Sequence, residues 1–157
     1  METFPSLLQQ HATQSSHRPA LRMKRHGIWN SYTWGDVASE VQKLACGFAA
    51  TGLKPGDKVA VIGNNVPPLF FSMLAAQSLG AVPVPMHADS TTEELKGLLE
   101  NCEARFAVLQ DQQQVDAADQ GDDPHQTKVC FDLVSETTDG FEGIASWQRQ
   151  LIRVRRW

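Results

Sequence analysis

Between Val59 and Ala88 the chain has no Asp, Glu, Lys or Arg, although charged residues make up 20% of the whole. So long an uncharged stretch is buried structure, not a solvated helix or loop. It is not a membrane span either. A spanning helix needs about 20 consecutive apolar residues, and here Asn64, Asn65, Pro67, Pro68, Gln77, Gly80, Pro83 and Pro85 break the run.

Cysteine is scarce as well. Cys46, Cys102 and Cys130 are odd in number, widely spaced and set among apolar neighbours, which excludes a disulfide framework or a paired-cysteine metal knuckle. That usage predicts a reduced, cytoplasmic setting. A basic excess is also missing: 14 Lys and Arg against 18 Asp and Glu give a net charge of −4, so no nucleic-acid partner is expected. The opening METFPSLLQQHATQSS has no basic flank before an apolar core and does not read as a secretory signal.

Catalytic signatures are absent too. No glycine is followed at Walker spacing by Gly-Lys-Ser or Gly-Lys-Thr, and Gly52 to Gly56 is too short for a phosphate loop. GxGxxG, HExxH and GxSxG do not occur. Catalytic and metal-ligating residues are therefore both expected to be none. His11 and His17 read as solvated positions, because no Cys, Asp or Glu stands at ligand spacing to them.

What is present is a strand–turn–helix–strand unit. Val59 to Ile62 is apolar and β-branched, as in a strand buried on both faces of a parallel sheet. Gly63-Asn64-Asn65 turns the chain. Pro67 and Pro68 suit the first turn of a helix, whose amides lack intrahelical partners. Leu69, Phe70, Met73, Leu74 and Leu79 make that helix apolar nearly all round, and Gly80 is its expected left-handed stop. Ala81 to Pro85 is extended, and its alternate prolines mark a strand end or an edge segment.

Upstream, Thr3 caps a first helix with Pro5 in its opening turn, and Phe4, Leu7, Leu8 and Ala12 form its apolar face. Ala20–Arg25 and Ile28–Thr33, joined by His26-Gly27, predict a β-hairpin. Thr33 with Asp36 forms a capping box for a long helix through Ala50, buried along Val37, Val41, Leu44, Ala45 and Phe48 and stopped at Gly52. Lys54-Pro55-Gly56-Asp57 is a turn by composition.

Downstream, Ser90 with Glu93 and Thr91 with Glu94 are overlapping capping boxes for a helix that buries Leu95, Leu98, Leu99 and Cys102. Arg105–Leu109 is a further strand. Gln110–Gln126 is polar and predicts a short helical turn and a loop, and Lys128–Asp132 a fourth short strand. The expected fold is α/β, a mostly parallel sheet with helices on both faces, preceded by a helix and a hairpin.

Ligands of such sheets bind beyond the carboxyl ends of the strands. The candidates there are Asn64, Asn65, His87 and Asp89, together with Gln110-Asp111. Each has a bland alternative: the asparagines can serve the turn and the helix start, and His87 and Asp89 a turn and a cap.

Three segments carry a resemblance. Gly52-Leu53-Lys54-Pro55-Gly56-Asp57-Lys58-Val59-Ala60-Val61, then Asn64-Asn65-Val66-Pro67, then Leu74-Ala75-Ala76-Gln77-Ser78-Leu79-Gly80-Ala81-Val82-Pro83-Val84-Pro85 resemble the amino-terminal part of the AMP-forming acyl-CoA synthetases. Arg25-His26-Gly27-Ile28-Trp29 with Tyr32-Thr33-Trp34, and Asp111 to Asp116, are similar to the long-chain fatty acid branch. The resemblance implies residues 1–132 as a partial amino-terminal subdomain of the adenylate-forming fold and 133–157 as an unassigned tail.

It also implies a two-step ligase. ATP and a fatty acid give an acyl-adenylate and pyrophosphate, and coenzyme A then displaces AMP. ATP, Mg²⁺ and CoA are expected cofactors of the longer enzyme, with none expected on this chain, because the family's phosphate loop and catalytic lysine have no counterpart among these residues. The parent is expected to be cytoplasmic or membrane-peripheral. The chain itself is expected to be inactive, and an unpaired sheet edge would let it self-associate. The alternative is a non-catalytic module binding an acyl group or a partner. From Phe106 to Gln148 there is no arginine, whereas Arg149, Arg153, Arg155 and Arg156 crowd the last residues. Two expectations account for that tail equally: a departure from the family frame near Gln148, or a basic helix of a longer enzyme.

Overall fold

The computed structural model describes residues 2–110, Gln114 and the strand Thr127–Cys130. In order these form α1 (Phe4–Gln14), β1 (Pro19–Arg25), β2 (Ile28–Thr33), α2 (Trp34–Ala50), β3 (Lys58–Ile62), α3 (Pro67–Ser78), β4 (Val82–Met86), α4 (Thr92–Cys102), β5 (Phe106–Leu109) and β6 (Thr127–Cys130). The predicted strand at Lys128–Asp132 thus starts one residue earlier, and Phe131 and Asp132 lie outside the described residues. So does the turn predicted over Gln110–Gln126, apart from Gln110 and Gln114.

β1 and β2 pair antiparallel across His26-Gly27. Both turn residues have positive φ, 48° and 82°, as a two-residue hairpin turn of the right twist requires. The other four strands form one parallel sheet in the order β4-β3-β5-β6.

β3 alternates between two cores. Val59 and Val61, with Phe106 and Val108 of β5, pack under α1, α2 and α3 against Leu8, Val41, Phe48 and Phe71. Ala60 and Ile62, with Ala107 and Leu109, pack on the opposite face against Leu95 and Leu99 of α4. A strand buried on both faces has no use for polar alternation, hence its continuous Val-Ala-Val-Ile. The α/β architecture with helices on both faces is as expected.

Local signals set the helix ends. Thr33 and Asp36 cap α2 reciprocally: the Thr33 amide donates to Asp36 Oδ2 at 2.9 Å, and the Asp36 amide to Thr33 Oγ1 at 3.2 Å. At the far end of α3, Gly80 takes φ +74° and donates to the Gln77 carbonyl, while the Ala81 amide donates to that of Ala76. That pair of bonds is a Schellman stop, and it leads straight into β4. α1 uses Thr3 as expected, with Ser6 as a reciprocal partner the sequence reading did not name.

Three burial expectations need correction. Phe4 is 69% exposed, because α1 meets the core one turn later, through Leu8. In α3 it is Phe71, not Phe70, that faces inward, at 3% against 39% exposure. The inner stripe of α3 is Pro68, Phe71, Ser72, Ala75 and Ala76. It includes a serine whose hydroxyl donates to the Pro68 carbonyl at 2.9 Å and so can be buried. Leu98 lies on the flank of α4 and is 43% exposed beside the buried Leu95 and Leu99. Cys46 is exposed, since it falls outside the Val37–Val41–Leu44–Phe48 stripe of α2.

The contrast within α4 gives a direct check. Leu99→Ala, which empties a buried site, is expected to cost about 2–4 kcal/mol, and Leu98→Ala less than about 1 kcal/mol. Urea denaturation of the two variants measures both.

Candidate functional site

In a parallel sheet all strands end on the same side, and the register fixes which residues meet there. Ile62 pairs with Met86 on one side and with Leu109 on the other. Gly63-Asn64-Asn65, His87-Ala88-Asp89 and Gln110 therefore follow three adjacent strands at one edge.

Among the described residues, hydrogen bonds tie two of these loops together. The Asn64 amide donates to Oε1 of Gln110, and the Gln110 amide donates back to the Ile62 carbonyl at 3.2 Å and to Oε1 of Gln114 at 2.9 Å. Gln110 therefore spans the gap between the β3 and β5 ends. Gly63 is the residue that makes room for it: a Cβ there would stand 2.9 Å from Gln110 Oε1 and 3.0 Å from its Cβ. Gln114, 8% exposed, holds the Gln110 backbone by accepting from its amide. The sequence reading named Gln110 only as a strand end and missed the clamp. The available signal was a glycine after one apolar strand and a glutamine after its in-register neighbour.

The four candidate side chains are placed differently. Asn64 and Asn65 are exposed, and Asn64 acts through its backbone: its amide binds Gln110 and its carbonyl accepts from Val66 at 2.8 Å. Val66 is the N-cap residue of α3 and no side chain caps that end, so neither asparagine does. His87 and Asp89 are exposed after β4, where the His87 carbonyl accepts from the Ser90 amide at 3.4 Å. Among the described residues no group of three or more His, Cys, Asp and Glu could hold a metal ion.

Of the two overlapping capping boxes, the Thr91–Glu94 pair is the one that forms. The Thr91 amide donates to Glu94 Oε2 at 2.9 Å and the Glu94 amide to Thr91 Oγ1 at 3.3 Å. The bond from the Thr91 backbone, then that from its side chain, holds the Glu94 carboxyl below the ordinary glutamate range.

The chain belongs to the AMP-binding enzyme family, which matches residues 8–152. Crotonobetaine/carnitine–CoA ligase of Proteus mirabilis (strain HI4320) is 34% identical over 85 residues, covering 54% of this chain and 16% of that protein. The enzyme of the same name from Escherichia coli O1:K1 / APEC is 28% identical over 141 residues, 85% of this chain and 27% of that one. Among solved structures, Klebsiella oxytoca NpsA in complex with 3-hydroxyanthranilyl-AMSN superposes with a TM-score of 0.73 at 20% identity, over 100% of this chain and 28% of that chain. The fatty acid AMP ligase from Legionella pneumophila gives 0.64 at 16% identity, over 71% and 20%.

The adenylate-forming family and its amino-terminal fold are thereby shown, while these CoA-ligase relatives do not single out the long-chain fatty acid branch. The chain spans 16% and 27% of the lengths of those two curated relatives. Among the described residues no helix is long and apolar enough to cross a membrane.

Two outcomes follow from this geometry. Gln110→Ala removes the acceptor of the Asn64 amide and is expected to cost about 0.5–1.5 kcal/mol, whereas His87→Ala stays below about 0.5 kcal/mol; chemical denaturation distinguishes them. For Glu94, a lowered folded-state pKa means the cap contributes fully above the ordinary glutamate value and is lost as pH falls through the lowered one. The Thr91 amide proton shift is expected to titrate with a midpoint below the ordinary glutamate range, and Glu94→Gln to abolish that titration.

Proposed function

We propose that this chain is the amino-terminal scaffold of an AMP-forming acid–CoA ligase. Such an enzyme activates a carboxylic acid with ATP as an acyl-adenylate and transfers the acyl group to coenzyme A. The observation that carries the reading is the match of the AMP-binding enzyme family over residues 8–152, supported by relatives that are themselves CoA ligases.

The role assigned to the chain is structural. Phosphoryl chemistry of this kind needs preorganised donors and cations aimed at developing charge. The described ends of β3, β4 and β5 offer instead a clamp between backbone and Gln110 and the exposed side chains of Asn64, Asn65, His87 and Asp89. ATP, Mg²⁺ and CoA are accordingly assigned to a protein that carries this scaffold together with a phosphate loop, and 1–132 to the scaffold proper.

The acid is a long-chain fatty acid in the reading supported by the Arg25–Trp34 and Asp111–Asp116 segments. A second reading, a short acid, is favoured by the relatives' names, crotonobetaine/carnitine–CoA ligase. ATP–pyrophosphate exchange tests both. The 157-residue chain is expected to remain at background with palmitate and with crotonobetaine, and a protein joining it to a phosphate loop is expected to exchange with one of them. Exchange by the chain alone would overturn the scaffold role.

A further inference from the structure

From Thr3 to Gly35 the chain carries four cations, Arg18, Arg22, Lys24 and Arg25, and no Asp or Glu, within a protein of net charge −4. That segment includes the β1–β2 hairpin, whose tip exposes two large apolar side chains, Ile28 at 68% and Trp29 at 63%. Isolated exposed apolar residues are ordinary. Here they are adjacent, at the end of a projecting ribbon, and in the acid-free part of an acidic chain.

The register shows how the tip is built. Trp29 pairs with Lys24 and Ser31 with Arg22, so the two cations and the indole share one face, with Lys24 Nζ 6.0 Å from the Trp29 ring centre. Ile28 pairs with Arg25 and lies on the other face, in line with Leu21 and Tyr32, which anchor the base of the hairpin against the core. Tyr32 meets Phe71 edge-on with ring centres 5.5 Å apart. The base is thus fixed to the body while the tip presents apolar side chains on both faces. Asp36, the first acidic residue after the hairpin, is engaged at the base in the Thr33 cap.

We propose that the β1–β2 tip docks on an anionic bilayer surface, Ile28 and Trp29 entering the boundary between headgroups and acyl chains while Arg22 and Lys24 stay at the lipid phosphates. Charge complementarity selects this occupant. Indole rings favour the headgroup level, and long basic side chains reach outward to phosphate from a buried stem. Each Lys or Arg near an anionic leaflet strengthens binding about fivefold. A helical span is not required, because interfacial binding needs only a small apolar area aided by basic charge.

Sedimentation of the full chain with vesicles of phosphatidylcholine containing phosphatidylserine tests this. Binding is expected with the mixed vesicles, at least tenfold weaker with pure phosphatidylcholine, and reduced about tenfold or more by Arg22→Gln with Lys24→Gln and by Ile28→Ser with Trp29→Ser. Brominated acyl chains are expected to quench tryptophan emission in the wild type and less in Trp29→Phe, a readout that holds even where the double serine variant folds poorly. Absence of binding by the wild type, or binding unchanged in both double variants, would overturn the proposal. So would a hairpin-dependent self-association in sedimentation velocity that proceeds without affinity for vesicles.

Discussion

Everything described rests on β3 being buried on both of its faces. Val59 and Val61 supply one core and Ala60 and Ile62 the other, and none of the four is more than 1% exposed. A strand in that position cannot carry a charge, because no water and no partner is available on either side to compensate it. The uncharged run from Val59 to Ala88 is the imprint of that constraint, carried into α3 and β4, which follow it. The flanking elements then sort by face: α1, α2 and α3 cover one side and α4 the other.

β4 shows how the same run handles its outer boundary. The Val82 amide donates inward, to the Asp57 carbonyl that leads into β3, at 2.8 Å. Strand alternation then turns Val84 and Met86 inward as well and aims the backbone of Pro83 and Pro85 outward. The outer edge of β4 therefore offers carbonyls and no amide protons at those positions. A ladder needs both, and strand addition at the β4 edge is thereby disfavoured.

The sequence made the elements legible wherever a local rule decided them. Thr33 with Asp36, Thr91 with Glu94, Gly52 and Gly80 each act within four residues of themselves, and all four appear as helix ends. Misreadings arose where burial depends on a neighbour distant in the chain. Helix α3 is apolar almost all round, so its pattern could not choose between Phe70 and Phe71; the sheet beneath it chose. Leu98 fits the apolar stripe of α4 as well as Leu99 does, and only the position of β3 and β5 makes one a flank and the other a core residue.

The strand-end site was half legible for the same reason. The rule that ligands gather beyond the carboxyl ends of parallel strands points to one edge of the sheet, and within that edge it picks side chains by polarity. Polarity alone favours Asn64, Asn65, His87 and Asp89, all exposed. What organises the edge is a backbone amide, at Asn64, and the carboxamide of Gln110 reaching it across the space Gly63 leaves open. Such a contact links positions 46 residues apart and depends on β3 and β5 being neighbours in register, with Ile62 opposite Leu109. Among the described residues, the β3 loop is bonded to Gln110 and has no hydrogen bond to the β4 loop. Further chain packed at this edge would therefore reach His87 and Asp89 without first displacing a bond between the three strand ends, whereas reaching the Asn64 amide would require breaking one.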